Sequence, residues 1–238
     1  MSLKKDGHAM YTARLKFVRK EELKYLSHLD MQRMVQRTLR RAKIPMKYSE
    51  GFNPHPKLSF ASAMSVGLVS EGEYLDVELE KDLPPHVLKA NINAQAPRGF
   101  AILDGFVTDE KLSSLSSRVA YARYRIVFEG VKSSELRKGM DALWNKEEIP
   151  YTKKNKKGKR ITRNIRPMIH SVESIEDEKN EDQTSLEVLL SAGSEMHLKP
   201  EVLIDFLCEQ VPIIQDSFVS IRRLDLYDKH KNKLMEKE

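Results

Sequence analysis

Arginine recurs along residues 28–43 at spacings that a helix would bring onto one side. In a helix, Arg33, Arg37, Arg40 and Arg41 would form a cationic stripe opposite the apolar residues. Guanidinium groups stay charged and donate hydrogen bonds in a planar fork, a geometry that suits phosphate. The stripe therefore predicts a surface for nucleic-acid phosphates, and a merely solvated helix face is the alternative.

Residues 48–60 form a second candidate, a glycine-, proline- and aromatic-containing loop between this helix and a strand. Pro54 and Pro56 restrict the backbone on both sides of His55, so we expect a stiff loop. Aromatic rings and cations together are suited to single-stranded RNA, because bases stack and phosphates attract charge. A structural turn whose aromatic residues cover the sheet is the alternative. The candidate RNA-binding residues here are Tyr48, Phe52, Asn53, His55 and Lys57.

A third candidate is a basic run, followed along the chain by an acidic segment at residues 173–182. Turn-forming residues 155–158 lie between Tyr151-Thr152 and Ile161-Thr162, which predicts a hairpin. Each cation that neutralises a phosphate would steepen the salt dependence of RNA binding by about 0.7 in log slope. An exposed loop that only aids solubility is the alternative. The candidate residues are Lys156, Lys157, Lys159 and Arg160.

Catalytic candidates are His28 with Asp30 at a helix start, and His55 in the loop. Imidazole and carboxylate groups could serve acid–base chemistry or a metal, but a capping role for Ser27 and Asp30 explains the same residues. The sequence has no HExxH motif, nucleophile elbow, Walker loop or dinucleotide fingerprint. We therefore expect no catalytic residue, no metal site and no cofactor.

The elements that position these residues follow from capping and periodicity. Ser27 is suited to cap a helix, with Asp30 at the capping-box position, and the helix should end before Pro45. In the second half, Ser133 or Ser134 should open a helix that ends before Pro150. Apolar residues expected on one face of the first helix are Met31, Val35, Thr38, Leu39 and Ala42.

Three short segments recur in the same order, which indicates an internal duplication. Residues 13–17 match 122–126, residues 75–79 match 186–190, and the proline-led segments 83–88 and 198–203 match each other. The first two pairs alternate like strands, and the third has proline near the first turn of a helix, where its missing N–H costs nothing. Each half thus contains the same elements in the same order.

These elements predict an α+β fold of tandem ferredoxin-like (βαββαβ) domains, with antiparallel sheets and helices on one face. The N-terminal domain would span residues 1–108 and the C-terminal domain 119–238. The last strands would be 100–107 and 218–227. The polar, serine-rich residues 109–118 would be the linker.

Composition limits the compartment and the chemistry. The chain has 238 residues, a formal charge of +6 and one cysteine, Cys208. One cysteine forms neither an intrachain disulfide, a cysteine-rich zinc site nor a four-cysteine cluster. The sequence contains no signal-peptide core and no apolar stretch that would span a membrane. We therefore expect a soluble cytoplasmic protein without a membrane partner.

Dense motifs across residues 11–105 give a family resemblance. Tyr25-Leu26-Ser27-His28-Leu29-Asp30-Met31, the arginine-rich helix, Gly51-Phe52-Asn53-Pro54-His55-Pro56 and Glu71-Gly72-Glu73-Tyr74-Leu75-Asp76-Val77 resemble an uncharacterised bacterial family of radical-SAM-associated proteins. Its members are encoded beside, or fused to the C-terminus of, a predicted cobalamin-binding radical SAM protein. The resemblance implies a radical SAM partner for this chain.

The resulting hypothesis is a non-catalytic accessory protein that binds RNA or presents substrate for tRNA or rRNA modification. Many RNA-binding proteins have this fold, but the fold by itself does not establish RNA binding. An endoribonuclease resembling CRISPR repeat-processing enzymes, with His28 or His55 as general base, is one alternative. A module that only docks the radical SAM partner is the other.

Overall fold

The computed structural model describes residues 10–154, 158–176 and 183–236. The chain divides into two units, the first from residues up to Arg118 together with 233–238, the second Val119–Asn232. Residues 109–118, expected as a linker, cluster with the first unit, and so does the C-terminal segment expected in the second. Arg118 contributes to this arrangement, because its guanidinium donates to the carbonyl of Leu234 at 3.1 Å.

The first unit has the order strand, helix, strand, strand, helix, strand. Its elements are β1 Tyr11–Arg19, α1 His28–Arg41, β2 Leu58–Phe60, β3 Val69–Leu79, α2 Pro85–Gln95 and β4 Phe100–Thr108, followed by the short α3 Leu115–Arg118. The strands pair antiparallel in the spatial order β4-β1-β3-β2. This is a ferredoxin-like sheet.

The second unit repeats this order with one insertion. Its elements are β5 Tyr121–Glu129, α4 Ser133–Trp144, β6 Pro150–Lys154, β7 Arg160–Asn164, β8 Ile169–Glu176, β9 Gln183–Ser191, α5 Pro200–Gln210 and β10 Val219–Tyr227. The main strands pair antiparallel in the order β10-β5-β9-β8. Among the described strands, the inserted β6 and β7 form a separate two-stranded sheet. The prediction of a tandem ferredoxin-like α+β fold is confirmed.

The repeated segments occupy equivalent elements in the two units. Residues 13–17 and 122–126 lie in the first strands, and residues 75–79 and 186–190 lie in the third strands. Pro85 and Pro200 are the first residues of α2 and α5, where the missing N–H of proline leaves no helical bond unmade. Both final strands end within one residue of the predicted ends.

Helix α1 forms as its sequence predicts. The Ser27 hydroxyl accepts a hydrogen bond from the Asp30 N–H at 3.2 Å and donates to the Asp30 carboxylate at 2.7 Å. The helix ends at Arg41, after which Lys43 takes a positive φ of 53° and the N–H of Ile44 donates to the Leu39 carbonyl. Its buried residues are Met31, Val35, Thr38 and Leu39. Ala42 is half-buried at the end of the same face.

The helices of each unit pack on one face of its sheet. In the first unit, Leu15 of β1 and Leu75 of β3 share a buried cluster with Val35 of α1 and Leu88 of α2. In the second unit, a Cβ added at Gly139 of α4 would stand 3.0 Å from the Leu207 side chain of α5. Glycine therefore permits a close approach of α4 and α5. The opposite face of each sheet is free of these helices.

Candidate nucleic-acid interface

The arginines of α1 are all exposed, as the stripe predicts, but they differ in what they contact. Arg33 lies 3.6 Å from the Asp30 carboxylate, a weak ion pair at the surface. Arg41 donates to the Gln95 carbonyl at 2.9 Å and thereby ties α1 to α2. Arg37 donates to the Arg33 carbonyl at 3.3 Å. Within the described part of the chain, neither Arg37 nor Arg40 has a carboxylate within ion-pair distance.

The connection between α1 and β2 is a small hairpin tied to the end of β3. The N–H of Lys47 donates to the Glu78 carbonyl at 2.9 Å, and the N–H of Glu78 donates to Lys57 at 3.0 Å. Ser49 bridges the two arms, because its N–H donates to the His55 carbonyl and its hydroxyl accepts from the His55 N–H. These hydrogen bonds fix the two arms of the hairpin on either side of the bends at residues 50–54.

The tip of this connection presents an aromatic side chain to solvent. Gly51 has φ of 112°, a conformation that favours glycine, and the following Phe52 is fully exposed. Asn53 and His55 are also exposed, whereas Tyr48 is only 38% exposed. The open ring of Phe52 offers a face on which a nucleic-acid base can stack.

Lys57 contributes to the sheet more than to an open surface. Its ammonium lies 3.5 Å from the Glu78 carboxylate, so part of its charge is neutralised. Glu78 and Asp76 line a groove of about 460 Å³ together with Ser59 of β2 and residues 109–112. This groove has mixed charge and lies apart from the exposed arginines on α1.

The histidine candidates have different surroundings. His28 is half-buried, its ring meets Phe60 edge to face at 5.5 Å, and its Nε2 lies 3.2 Å from the Gln32 amide nitrogen. His55 is exposed in the hairpin. Within the described ranges, no three His, Cys, Asp or Glu side chains come close enough together to hold a metal ion. Burial, with the nearby Asp205 charge, raises the pKa of the Cys208 thiol, which disfavours a reactive thiolate.

The predicted basic hairpin is present as β6 and β7 in the second unit. Its register pairs Tyr151 with Arg163 and Thr152 with Thr162, whose hydroxyls lie 2.7 Å apart. Lys159 and Arg160 are exposed on its second arm. Lys156 and Lys157 fall outside the described residues. The hairpin thus supplies a second exposed cationic element.

Sequence reasoning missed the buried arginines Arg14, Arg19 and Arg223, of which the first two bind groups near α1 and β3. Arg14 binds the Asp76 carboxylate through two hydrogen bonds of 2.9 Å and donates to the Ser113 carbonyl at 2.8 Å. Arg19 donates to the carbonyls of Leu23, Lys24 and Leu26 and so holds the segment that precedes α1. Strand alternation does place Arg14 on the face opposite Leu15, but only the partner across the sheet reveals its role.

This arrangement defines an α+β protein of two ferredoxin-like units with exposed basic and aromatic connections. The chain belongs to the family described as "Uncharacterized protein conserved in bacteria (DUF2344)", whose model matches residues 12–200. The motif resemblance to an uncharacterised bacterial family is therefore confirmed. Association with a radical SAM protein stays a prediction.

Comparison with solved structures gives distant likenesses. A chain of a Cbf5–Nop10–Gar1 complex has 10% identity and a TM-score of 0.49, covering 91% of this chain but only 50% of that one. A candidate glycine cleavage system transcriptional repressor has 10% identity and a TM-score of 0.23, covering 89% of this chain and 96% of the other. Among curated proteins, none matches this chain. Neither structure transfers a function at this level of similarity.

Along the described residues, no helix is both long and apolar enough to span a bilayer.

Proposed function

We propose that this protein is an RNA-binding accessory subunit of a radical SAM enzyme, and that it presents tRNA or rRNA for modification without performing the chemistry. The observation that carries the RNA part is the exposed pair Arg37 and Arg40, which lack carboxylate partners among the described residues. The chain then leads directly into a hairpin whose tip exposes Phe52. Cations and an open ring are the features that single-stranded RNA requires.

Charge neutralisation explains why the arginine pair matters more than the total charge. A cation already paired with a carboxylate gains less on meeting a phosphate, because the first pair must be broken. Arg33 and Lys57 have such partners, whereas Arg37 and Arg40 do not within the described chain. We therefore assign the phosphate contacts of α1 chiefly to Arg37 and Arg40.

The partnership with a radical SAM enzyme is supported by the motif resemblance. The motif that begins at Tyr25 lies where the buried Arg19 holds the backbone. Tyr25 is 74% exposed and Leu29 is 53% exposed, and apolar side chains held open in this way suit a protein contact. The single cysteine cannot ligate an iron–sulfur cluster unaided, so the enzyme's own chain would supply it.

Electrophoretic mobility shifts with small structured RNAs at low and moderate salt test the RNA proposal. The double variant Arg37→Glu with Arg40→Glu should weaken binding by at least about tenfold, because two phosphate contacts become repulsive. A matched control is Lys20→Glu with Lys229→Glu, which makes the same change of charge at two exposed lysines that have no ion pair among the described residues. Wild-type protein that binds no RNA, or a double variant that binds as well as the control, would refute the proposal.

Co-purification of the tagged protein from its native cells tests the partnership. We expect the radical SAM protein to be recovered with it, and to stay bound after ribonuclease treatment. Tyr25→Ala with Leu29→Ala should reduce that recovery without changing RNA affinity. Sequencing of the recovered RNA would then identify the substrate.

A further inference from the structure

The basic hairpin of the second unit is flanked at its base by an aromatic–guanidinium stack. Trp144 is the last residue of α4, and Arg166 follows the hairpin directly. The central carbon of the Arg166 guanidinium lies 4.4 Å from the centre of the Trp144 ring. Trp144 is nevertheless 39% exposed, so part of its ring stays open to solvent.

Backbone hydrogen bonds fix this stack relative to the hairpin. The Asn164 side-chain oxygen accepts from the N–H of Ile149 at 2.9 Å and from the N–H of Arg166 at 3.0 Å. The N–H of Ile165 donates to the Ile149 carbonyl at 2.9 Å. Both arms of the hairpin are thus joined at the point where Arg166 emerges, and the stack is held in place before any ligand arrives.

Among the described residues, no ion pair neutralises the charge of Arg166. Residues 150–166 contain no Asp or Glu. The nearest carboxylates in the sequence on either side are those of Glu148 and Glu173, and neither has an ion pair with Arg166 in the described structure. The Arg166 Nε is buried and has no hydrogen bond among the described residues, which fits a guanidinium packed against the indole.

Cations from three elements lie near His197, and one of them belongs to the hairpin. Burial lowers the pKa of His197, and the charges of Arg223, Lys199 and Lys153 lower it further. Lys153 belongs to the first arm of the hairpin, so the hairpin and the segment before α5 contribute to the same field. Such a field attracts polyanions.

We propose that the Trp144–Arg166 stack and the exposed cations of the hairpin form a second site for single-stranded RNA. Trp144 stacks on a base, Arg166 contacts the adjoining phosphate, and the arms extend the contact along the backbone. This proposal rests on the proposed function, which supplies RNA as the ligand, and extends it to the second unit. The exposed cations are Lys153, Lys159, Arg160 and Arg163.

Trp144 is the only tryptophan of the chain, so its fluorescence reports this site directly. We would titrate the full chain with a short oligouridylate and follow both tryptophan emission and the anisotropy of the labelled RNA. Emission should be quenched by stacking, with the same midpoint as the anisotropy change. Inorganic polyphosphate, which has charge but no base, should compete for binding and leave the emission largely unchanged.

Variants of Trp144 and Arg166 distinguish the contribution of ring stacking to RNA affinity from the contribution of charge. Trp144→Ala should weaken binding about tenfold, within the range measured for one stacked base, whereas Trp144→Phe should retain most of the affinity. Arg166→Lys keeps the charge but not the planar stack, and should bind more weakly than the control Lys138→Gln on the outer surface of α4. Far-ultraviolet circular dichroism would establish that each variant is folded.

The outcomes distinguish this inference from the proposed function. RNA that binds by anisotropy without quenching Trp144, and with equal affinity for Trp144→Ala, would overturn the second site and leave the proposed function intact. Equal quenching by polyphosphate or by polyglutamate would overturn base stacking in favour of plain anion binding. No RNA binding in either measurement would refute the proposed function, and the second site with it.

Discussion

The two units share one fold but differ in the burial of charged residues at equivalent positions. In the first unit, Arg14 is 1% exposed and binds Asp76 through paired hydrogen bonds of 2.9 Å. Glu187 aligns with Asp76 in the duplicated segment and lies 2.5 Å from Arg125, which is 44% exposed, and 3.6 Å from Arg123, the counterpart of Arg14, which is 36% exposed. The two carboxylates are similarly covered, at 14% and 15% exposure, so the units differ in the guanidinium, which is buried in the first and exposed in the second.

The units differ more in the connection between their first helix and second strand. In the first unit residues 42–57 are hydrogen-bonded to the end of β3 and expose one ring, that of Phe52. In the second unit the same position contains the hairpin of β6 and β7, with cations instead of an exposed ring at its described arms. The comparison shows that a common scaffold places two different candidate RNA contacts at equivalent points.

Removal of the carboxylate that pairs with the buried Arg14 should have the largest effect among these predictions. Asp76→Ala would leave the Arg14 charge buried without its partner, which costs about 3–5 kcal/mol of unfolding free energy. Chemical denaturation followed by circular dichroism, with hydrogen exchange of β1 and β3 amides, would locate the loss in the first unit. Arg14→Met with Asp76→Leu, which removes both charges, should restore much of the stability. A small effect of Asp76→Ala would contradict the assigned burial.

The helix starts offer a second contrast. Ser27→Ala should destabilise the first unit by about 1 kcal/mol, because the cap of α1 is lost. The corresponding residue before α4, Lys132, makes no side-chain cap bond. Lys132→Ser should therefore stabilise the second unit by a similar or smaller amount. Denaturation midpoints of the two variants should move in opposite directions, and movement in the same direction would argue against the capping assignments.

The carboxylate whose arginine partners are exposed should matter less than the one that pairs with the buried Arg14. Glu187→Ala should cost about 1 kcal/mol or less, since the exposed guanidinium groups of Arg123 and Arg125 regain water when the carboxylate is removed. Trp144 lies in the second unit, so tryptophan fluorescence reports its unfolding. A cost as large as that of Asp76→Ala would mean that burial does not explain the difference between the units.

Acid should lower the stability of the second unit slightly. Burial and the nearby Lys231 charge lower the pKa of His170 below its ordinary value of 6.5. The unfolded chain then binds a proton more readily than the folded unit, so stability is full above pH 6.5 and falls as the pH drops toward the lowered pKa. Denaturation followed by Trp144 fluorescence should show this decline, and His170→Gln should reduce it. A decline unchanged by His170→Gln would assign it to other groups.

The sequence predicted the helices and strands well because the signals that define them come from residues close together in the chain. The cap at Ser27, the apolar spacing of α1 and the proline-led starts of α2 and α5 depend on residues a few positions apart. The duplication also allowed the order of the elements to be predicted, since each half of the chain contains the same elements in the same order. Exposure of Arg37 and Arg40 followed from the same helical periodicity.

Long-range contacts explain what the sequence could not predict. Arg41 donates to a carbonyl on α2, and Lys57 pairs with a carboxylate on β3, so neither is as available for RNA as its position in the sequence suggests. Arg14 and Arg19 look like surface residues of a basic chain until their partners are known. Trp144 lies within the segment that the sequence predicts as a helix before Pro150, and only the fold places Arg166 against its ring.

Salt dependence of RNA binding tests the central claim most directly. Anisotropy of a labelled RNA containing a single-stranded loop would be measured over a series of salt concentrations for the wild type and for Arg37→Ala with Arg40→Ala. Loss of two phosphate contacts should weaken binding and make the slope of log affinity against log salt shallower by about 1.4. Equal affinity and an unchanged slope would contradict the account, because the arginines of α1 would then not contact RNA.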